Sequence, residues 1–222
     1  MKRMESRRIL LGGMLLVIFF LGCKMSGEAN NDTGTIVYGS PLIDREGNSY
    51  RTVIIDGKTW MADNFKSTRD ADGQVLPGVY AHGDSAANAA TYGRLYDWTA
   101  ANAAAPAGWR LPTAAEWEAL IARFGGRSAA GGPLKEAGTS RWLSPNTGAT
   151  NSSGFTAVGG GFRGSDGIFY ALGEHGSYWG TADQAASPYC TYLYNTTTQV
   201  SGGSNPEDRD SRIAFAVRYV KE

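Results

Sequence analysis

The residues best suited to contact a ligand are concentrated near the C-terminus, in residues 177–211. In this stretch 19 of 35 residues are Tyr, Asn, Asp, Ser or Thr, and Lys is absent. Tyrosine offers a broad amphipathic surface at small entropic cost, and Ser and Asn supply adaptable hydrogen bonds. The composition predicts a surface that binds a glycan or a protein, and an ordinary polar face of a sheet is the alternative. The candidate contact residues are Tyr178, Trp179, Asp183, Tyr189, Tyr192, Tyr194 and Asn195.

The same stretch holds carboxylates that could bind calcium. Asp183 precedes an acidic run at residues 207–210, and carboxylate oxygens are the ligands that this hard cation prefers. Asp208 and Asp210 are the candidate metal ligands, and calcium is the one cofactor that the sequence suggests. The alternative is that these acids pair with Arg212 and with the arginine between them.

Signatures of catalysis are weak. His82 and His175 lie in neither a Gly-x-Ser-x-Gly nor a His-Glu-x-x-His motif, so a packed or solvated role is favoured for both. Residues 159–164 read GGGFRG and match a dinucleotide-binding pattern, but no helix is predicted after them to hold a pyrophosphate. No pair of carboxylates stands out for glycoside hydrolysis. We therefore expect a protein without enzymatic activity.

The first 22 residues are typical of a bacterial lipoprotein signal. Four basic side chains precede an apolar run at residues 9–21, which is short for a membrane span, and Gly22 stands before Cys23. Cleavage would leave Cys23 as a lipidated N-terminus, whereas an uncleaved anchor or an ordinary signal peptide is the alternative. Residues 23–34 are polar and predict a flexible tether. The expected location is the cell envelope, reached by secretion across the inner membrane. The outer membrane is the favoured site, and the sequence does not decide between its periplasmic side and its outer side.

Charge and cysteine content exclude several classes of protein. The chain has 21 basic and 21 acidic side chains, and loss of residues 1–22 would leave 17 basic and 20 acidic. This balance does not suggest nucleic acid as a partner. Cys23 and Cys190 are too few for a disulfide scaffold, and Cys190 is expected to be buried. The expected partners are a glycan or an envelope or host protein, with the membrane contacted through the N-terminal lipid.

Short strands and capped helices must position these residues. The content of 30 Gly, 11 Tyr and 6 Trp predicts a loop-rich domain with more strand than helix. The dipeptide Asp56-Gly57 predicts a hairpin within residues 49–62. Residues 113–124 predict a helix that begins with a Thr-x-x-Glu capping box, and a weaker helix is predicted at residues 97–104.

The rest of the chain predicts strands separated by irregular segments. Residues 66–91 show little periodicity and are expected to form a surface excursion. The predicted strands after the second helix are residues 155–158, 177–181, 189–194 and 213–220. In the last of these, the alternation of Ile213, Phe215, Val217 and Tyr219 predicts one buried face. Residues 35–222 are therefore expected to form a single α+β domain.

Several motifs resemble those of one bacterial family. They are Tyr92 to Trp98 (YGRLYDW), Pro106 to Thr113 (PAGWRLPT) with Glu116-Trp117, Leu134 to Gly138 through Trp142, Asn151 to Phe155 (NSSGF), Gly160 to Arg163 (GGFR) and Phe215 to Arg218 (FAVR). In this order they resemble the Fibrobacter succinogenes major paralogous domain, a group of secreted and lipoprotein domains. The resemblance implies a C-type lectin-like fold, in which the C-terminal region commonly forms the ligand face.

The same motifs bear on possible chemistry. Trp109 to Thr113 with Glu116 is also similar to the formylglycine-generating, sulfatase-modifying family, whose members use a pair of thiols and copper. Apart from Cys23 the chain has one thiol, Cys190, so that site cannot be built. The resemblance therefore implies a binding protein. A structural subunit of a surface assembly, or a divergent enzyme of the sulfatase-modifying type, is the alternative.

One departure from the family concerns cysteine. Members of the major paralogous domain family often carry Cys at the two places where this chain has Ala105 and Tyr219. Without that covalent link, packing of the tryptophan side chains is expected to stabilise the domain instead.

Overall fold

A computed structural model of the chain describes Met1 and residues 35–182, 187–204 and 212–222. The described strands are β1 (Val37–Tyr38), β2 (Leu42–Ile43), β3 (Ser49–Tyr50), β4 (Thr52–Ile55), β5 (Lys58–Met61), β6 (Val79–Tyr80), β7 (Leu95–Tyr96), β8 (Trp109–Arg110), β9 (Phe162–Arg163), β10 (Phe169–Tyr170), β11 (His175–Thr181), β12 (Pro188–Tyr194), β13 (Val200–Ser204), β14 (Phe215–Ala216) and β15 (Val220–Lys221). The described α-helices are α1 (Ala86–Tyr92), α2 (Trp98–Ala103), α3 (Ala114–Arg123) and α4 (Gly131–Leu134), and a short 3-10 helix spans His82–Asp84. This mixture of many short strands and few helices is an α+β fold, as predicted.

The larger sheet has six strands in the order β13-β12-β11-β14-β7-β6. Its centre is the antiparallel pair of β11 and β12, which runs from His175 opposite Tyr194 to Thr181 opposite Pro188. β13 continues the sheet beyond β12, and β14 lies parallel to β11 on the other side. The strands predicted at residues 177–181 and 189–194 are confirmed, and both begin slightly earlier than expected.

The smaller main sheet has five strands in the order β1-β4-β5-β15-β8. Its hairpin between β4 and β5 is the one predicted from Asp56-Gly57, with Ile55 opposite Lys58. The two turn residues have φ values of 48° and 75°, the left-handed backbone that this dipeptide adopts readily in tight hairpins. The predicted hairpin is therefore confirmed.

The last segment of the chain connects the two sheets. β14 pairs with β7 and β11 in the larger sheet, whereas β15 pairs with β5 and β8 in the smaller one. Every residue from 214 to 220 is buried. Phe215 and Ala216, although adjacent, pack into different core clusters. The predicted single buried face is therefore wrong, because packed layers cover this segment on both sides.

The two predicted helices are confirmed as α3 and α2. In α3, Thr113 Oγ1 accepts from the Glu116 amide at 3.2 Å, and Glu116 Oε2 accepts from the Thr113 amide at 2.8 Å, which completes the capping box. α2 begins after Asp97, whose carboxylate accepts from the Ala100 amide. α1 overlaps the end of residues 66–91, where no helix was predicted, and Ser85 caps it. The strand predicted at residues 155–158 is wrong, since only an isolated bridge to Lys135 forms there.

Two clusters of buried side chains lie on the two faces of the larger sheet. Tyr178 belongs to one with Trp117, and its neighbour Trp179 belongs to the other with Phe215, as expected where successive strand residues point to opposite faces. Cys190 is 1% exposed, so its predicted burial is confirmed. Within the residues that the structure describes, no helix has both the length and the apolar character needed to span a bilayer.

Candidate binding surface

Successive side chains along β11 and β12 point to opposite faces, which divides the candidate aromatic residues between the two faces of the larger sheet. Tyr178 and Tyr189 belong to one core cluster, and Trp179 belongs to the other. Tyr178 and Trp179 are both 0% exposed. The Tyr178 hydroxyl donates to Val158 O at 3.2 Å, and Trp179 Nε1 donates to Tyr96 O at 2.7 Å. Both side chains are core residues, so the prediction that they contact a ligand is wrong.

Tyr189 and Asn195 are also held by contacts inside the protein. Tyr189 is 5% exposed, and its hydroxyl donates to Glu118 and accepts from Arg127. Burial, together with the Glu118 carboxylate, raises the pKa of Tyr189 to about 12. Asn195 is buried, and its Nδ2 donates to two backbone carbonyls at 3.3 Å each. The prediction that these two residues contact a ligand is wrong as well, because their polar groups fix the fold.

Tyr192 and Tyr194 are half-buried and lie on one face of β12. Tyr194 is the end of a row of four rings that crosses four strands. We call these residues the aromatic row: Tyr170, Phe162, His175 and Tyr194. Neighbouring ring centroids along the row are 5.4, 6.1 and 4.8 Å apart, in that order. Beside the row, Tyr192 packs edge-on against Phe215 with centroids 5.6 Å apart.

Polar groups lie at both ends of the aromatic row. The Tyr194 hydroxyl is 2.6 Å from Ser201 Oγ, and the Tyr170 hydroxyl donates to Asp166 at 2.5 Å. The hydrogen bond from Tyr170 lowers the pKa of the Asp166 carboxyl. Burial lowers the pKa of His175, so its ring is neutral at pH 7 and packs as an apolar group between its aromatic neighbours. The row therefore combines apolar ring surface with hydroxyl and carboxylate groups at its rim.

The hairpin of β9 and β10 is where the row meets solvent. Tyr170 is 38% exposed, and Ile168, in the connection between the two strands, is 56% exposed. Arg163 of the same hairpin stacks over the Tyr80 ring, with its guanidinium carbon 4.2 Å from the centroid. The GGGFRG segment thus leads into the strands β9 and β10 of a hairpin.

Sequence reasoning missed three of the four rings in the row. Composition singles out only Tyr194 of the four as a ligand contact. The sequence raises His175 for catalysis alone, and Phe162 and Tyr170 lie before the stretch that begins at residue 177. A usable signal was present, because Asp166-Gly167 is the same dipeptide that predicted the β4–β5 hairpin. Recognising it would have predicted a hairpin here but not its register. A two-residue turn would pair Arg163 with Tyr170, whereas the structure pairs Phe162 with Tyr170 across a longer connection.

The other candidate residues lie outside the described part of the chain. They are Asp183, Asp208, Asp210 and the lipidation candidate Cys23. Ala182 and Ser204, described residues next to the two internal gaps, lie at the same end of β12. Among residues 35–182, 187–204 and 212–222, no group of three or more side chains is arranged to hold a metal ion. Calcium binding by the aspartates and lipidation stay predictions.

Comparison with known proteins tests the resemblance found in the sequence. No curated protein and no solved structure matches the chain. The family described as the Fibrobacter succinogenes major domain matches residues 53–221, from within β4 to the last strand. The matched span includes the aromatic row and every described element from β5 to β15. The chain therefore belongs to the Fibrobacter succinogenes major domain family.

Proposed function

We propose that this chain is a non-catalytic binding protein that recognises a glycan, or alternatively a protein, through the aromatic row and the adjacent Tyr192. The observation that carries the proposal is the row itself: four rings in contact across four strands, reaching solvent at Tyr170. Rings that are already packed against one another lose little freedom when a ligand stacks on them, which favours recognition.

The chemistry of the row suits a sugar better than a charged ligand. Ring faces supply apolar contact area, and the hydroxyl groups of Tyr170, Tyr194 and Ser201 lie at the rim, where they can exchange hydrogen bonds with ligand hydroxyls. The neutral state of His175 adds no charge to the middle of the row. A few such contacts give modest affinity per site, and clustering of an anchored protein would increase the overall affinity.

We also propose that the domain has a C-type lectin-like fold and that Cys23 is lipidated, placing the domain in the cell envelope. Membership of the family and the signal-like residues 1–22 support these proposals. Calcium dependence through Asp208 and Asp210 is part of the same proposal. Cys190 is 1% exposed and lies in the core, where a thiol is unreactive. This burial argues against the thiol chemistry of sulfatase-modifying enzymes.

The test is a glycan array probed with the full chain in detergent micelles, once with calcium and once with a chelator. Tyr170→Ala and Tyr194→Ala should each lower the affinity for the glycans that the wild type binds by about tenfold, which is the effect of losing one aromatic stacking contact. Tyr38→Ala is the matched control, because Tyr38 is 54% exposed on β1 of the other sheet.

Three outcomes decide the proposal. Loss of binding in both row variants, with Tyr38→Ala unchanged, supports recognition by the row. Binding that survives both row substitutions contradicts it. Silence on every glycan, followed by capture of one envelope protein that needs Tyr170 and Tyr194, would assign the row to a protein partner.

A further inference from the structure

A cleft whose lining is polar, unlike the aromatic row, lies between the segment after β5 and the C-terminal end of α1. It has a volume of about 230 Å³ and a largely polar lining. We call it the polar cleft, and its chemically relevant residues are Ser49, Asp63, Asn64, Lys66, Tyr92 and Arg141. This volume fits one monosaccharide or a group of similar size and is below the range usual for drug-sized ligands.

The carboxylate in the polar cleft is already fully engaged. Asp63 Oδ1 accepts from Arg51 Nη2 at 2.6 Å, and Asp63 Oδ2 accepts from the Arg51 amide at 2.8 Å. Burial alone would raise the pKa of Asp63, but the hydrogen bonds from Arg51 outweigh it and the pKa is lowered. Asp63 is therefore an anion at neutral pH whose oxygens point to Arg51, and it offers little to a cation entering the cleft.

The cationic groups of the cleft, in contrast, keep capacity to donate. Arg141 is held in a two-point ion pair with Glu136, to which it donates from Nε at 2.9 Å and from Nη2 at 2.5 Å. Its Nη1 keeps the remaining donor capacity, with only a long contact of 3.4 Å to the Thr91 carbonyl. Lys66 uses its backbone amide to bond Tyr50, and within the described part of the chain no acceptor or carboxylate contacts its ammonium group. The open hydrogen-bonding positions in the cleft are thus those of positively charged donors.

A buried cation behind the cleft wall adds to this charge. Arg218 is 0% exposed, and its Nε donates to Asn64 Oδ1 at 2.8 Å, while its remaining bonds go to two backbone carbonyls. None of these acceptors is charged. Asn64 Nδ2 in turn donates to the Tyr92 carbonyl at 2.8 Å, so both polar atoms of this side chain are fixed. The wall is therefore rigid, and positive potential from Arg218 reaches the cleft.

We propose that the polar cleft binds a sugar that carries one carboxylate, a uronic acid unit, with the carboxylate at Lys66 and Arg141. The ring hydroxyls would meet the hydroxyl of Ser49 and the backbone oxygens near Tyr92. A single negative charge fits better than the two of a phosphate, because Asp63 and Glu136 flank the cations and would repel additional charge. This site is independent of the proposed function of the aromatic row.

The test is titration calorimetry of the full chain in detergent micelles with sodium glucuronate. Glucose, sodium acetate and inorganic phosphate are the comparison probes. We expect glucuronate to bind at least about tenfold more tightly than each of the three, because only it has both the charge and the ring hydroxyls. If glucose, acetate or phosphate bound as tightly as glucuronate, the assignment to an acidic sugar would be overturned.

Variants locate the site and separate it from the aromatic row. Lys66→Ala should weaken glucuronate about tenfold or more, Lys66→Arg should keep most of the affinity, and Lys221→Ala, a lysine exposed on β15, should have no effect. Tyr194→Ala should leave glucuronate binding unchanged, so the two sites can fail separately. Unchanged binding by Lys66→Ala would refute the proposal. If that variant does not fold, as judged by near-ultraviolet circular dichroism, Arg141→Ala replaces it with the same expected loss.

Discussion

Arg218 and Lys135 are two positively charged side chains with no exposed surface, and neutral oxygen atoms hold both of them. Lys135 Nζ donates to three backbone carbonyls at 2.8 to 3.0 Å, and burial lowers its pKa to about 8, which leaves it charged at neutral pH. The guanidinium of Arg218 also stacks on the Phe155 ring, 4.5 Å from its centroid. Each cation therefore links loops that the strands alone do not connect.

Replacing Arg218 should expose how much the fold depends on this link. Arg218→Met introduces an apolar side chain of comparable length. The carbonyls of Phe155 and Thr156 and the Asn64 side chain then lose their hydrogen-bond donor. We expect the free energy of unfolding to fall by about 3 kcal/mol or more, since each unpaired buried polar group costs about 1–3 kcal/mol. Urea unfolding measures the difference. The control is Arg45→Met, an exposed arginine whose loss should change stability by less than about 0.5 kcal/mol; a similar small effect for Arg218→Met would contradict the interpretation.

Local patterns predicted the elements of this protein to different extents. α3 was predictable because its cap, its apolar spacing and its stop signal are all within a dozen residues of one another. α1 was missed because it is a short, alanine-rich helix with one buried residue, so its sequence has no apolar periodicity to detect. The β9–β10 hairpin was missed although its turn signal was present, because its strands are only two residues long.

The start of α3 should also determine part of the acid sensitivity of the protein. Burial would raise the pKa of Glu116, but hydrogen bonds from Arg110, Lys58 and the Thr113 amide outweigh it and lower the pKa from 4.5 to about 2. The folded state therefore binds fewer protons than the unfolded state between these values. Stability conferred by Glu116 is complete above pH 4.5 and is lost as the pH falls towards 2.

Urea unfolding between pH 7 and pH 2.5 tests this prediction with Glu116→Gln. The variant should be less stable than the wild type at pH 7, and the difference should shrink below pH 4.5 because only the wild type loses its charge there. Glu222→Gln, at the exposed C-terminus, is the control and should follow the wild-type profile. A difference between Glu116→Gln and the wild type that stays constant down to pH 2.5 would show that the carboxylate does not titrate in this window.

At the scale of the whole molecule, the last segment of the chain ties the two sheets together. β14 and β15 belong to different sheets, and between them Tyr219 is 0% exposed and donates from its hydroxyl to Ala101 O at 2.7 Å. Tyr219 occupies one of the two positions where family members often have Cys. In this chain the last segment is therefore attached to α2 by a buried ring and a hydrogen bond in place of a covalent link.

The proposed location in the cell envelope rests on lipidation of Cys23, which lies outside the described residues. Metabolic labelling with a palmitate analogue should tag the wild type and not Cys23→Ala, because a lipoprotein signal requires cysteine at the cleavage site. Cys190→Ala is the matched control and should be labelled like the wild type, since Cys190 is buried. Equal labelling of Cys23→Ala and the wild type would contradict lipid anchoring.

The amino-acid sequence by itself determined the features that depend on neighbours along the chain. The β4–β5 hairpin, the two capped helices, the strands at the centre of the larger sheet and the family all follow from motifs of two to twelve residues. Only the tertiary structure decided which tyrosines are core and which face solvent. Strand alternation assigns side chains to faces, but burial depends on what packs over each face. Tyr178 and Trp179 point to opposite faces, and both are covered.

The same reason explains why neither candidate site could be predicted as a whole from the sequence. The aromatic row unites residues from four strands, and the polar cleft unites Lys66 with Arg141, in front of a buried Arg218 from the last segment. Contacts between residues so far apart in the chain form only when the sheets and loops assemble. Residue type could indicate that Tyr194 suits a ligand, but its partners in the row became known from the pairing of β9 with β10 and of β11 with β12.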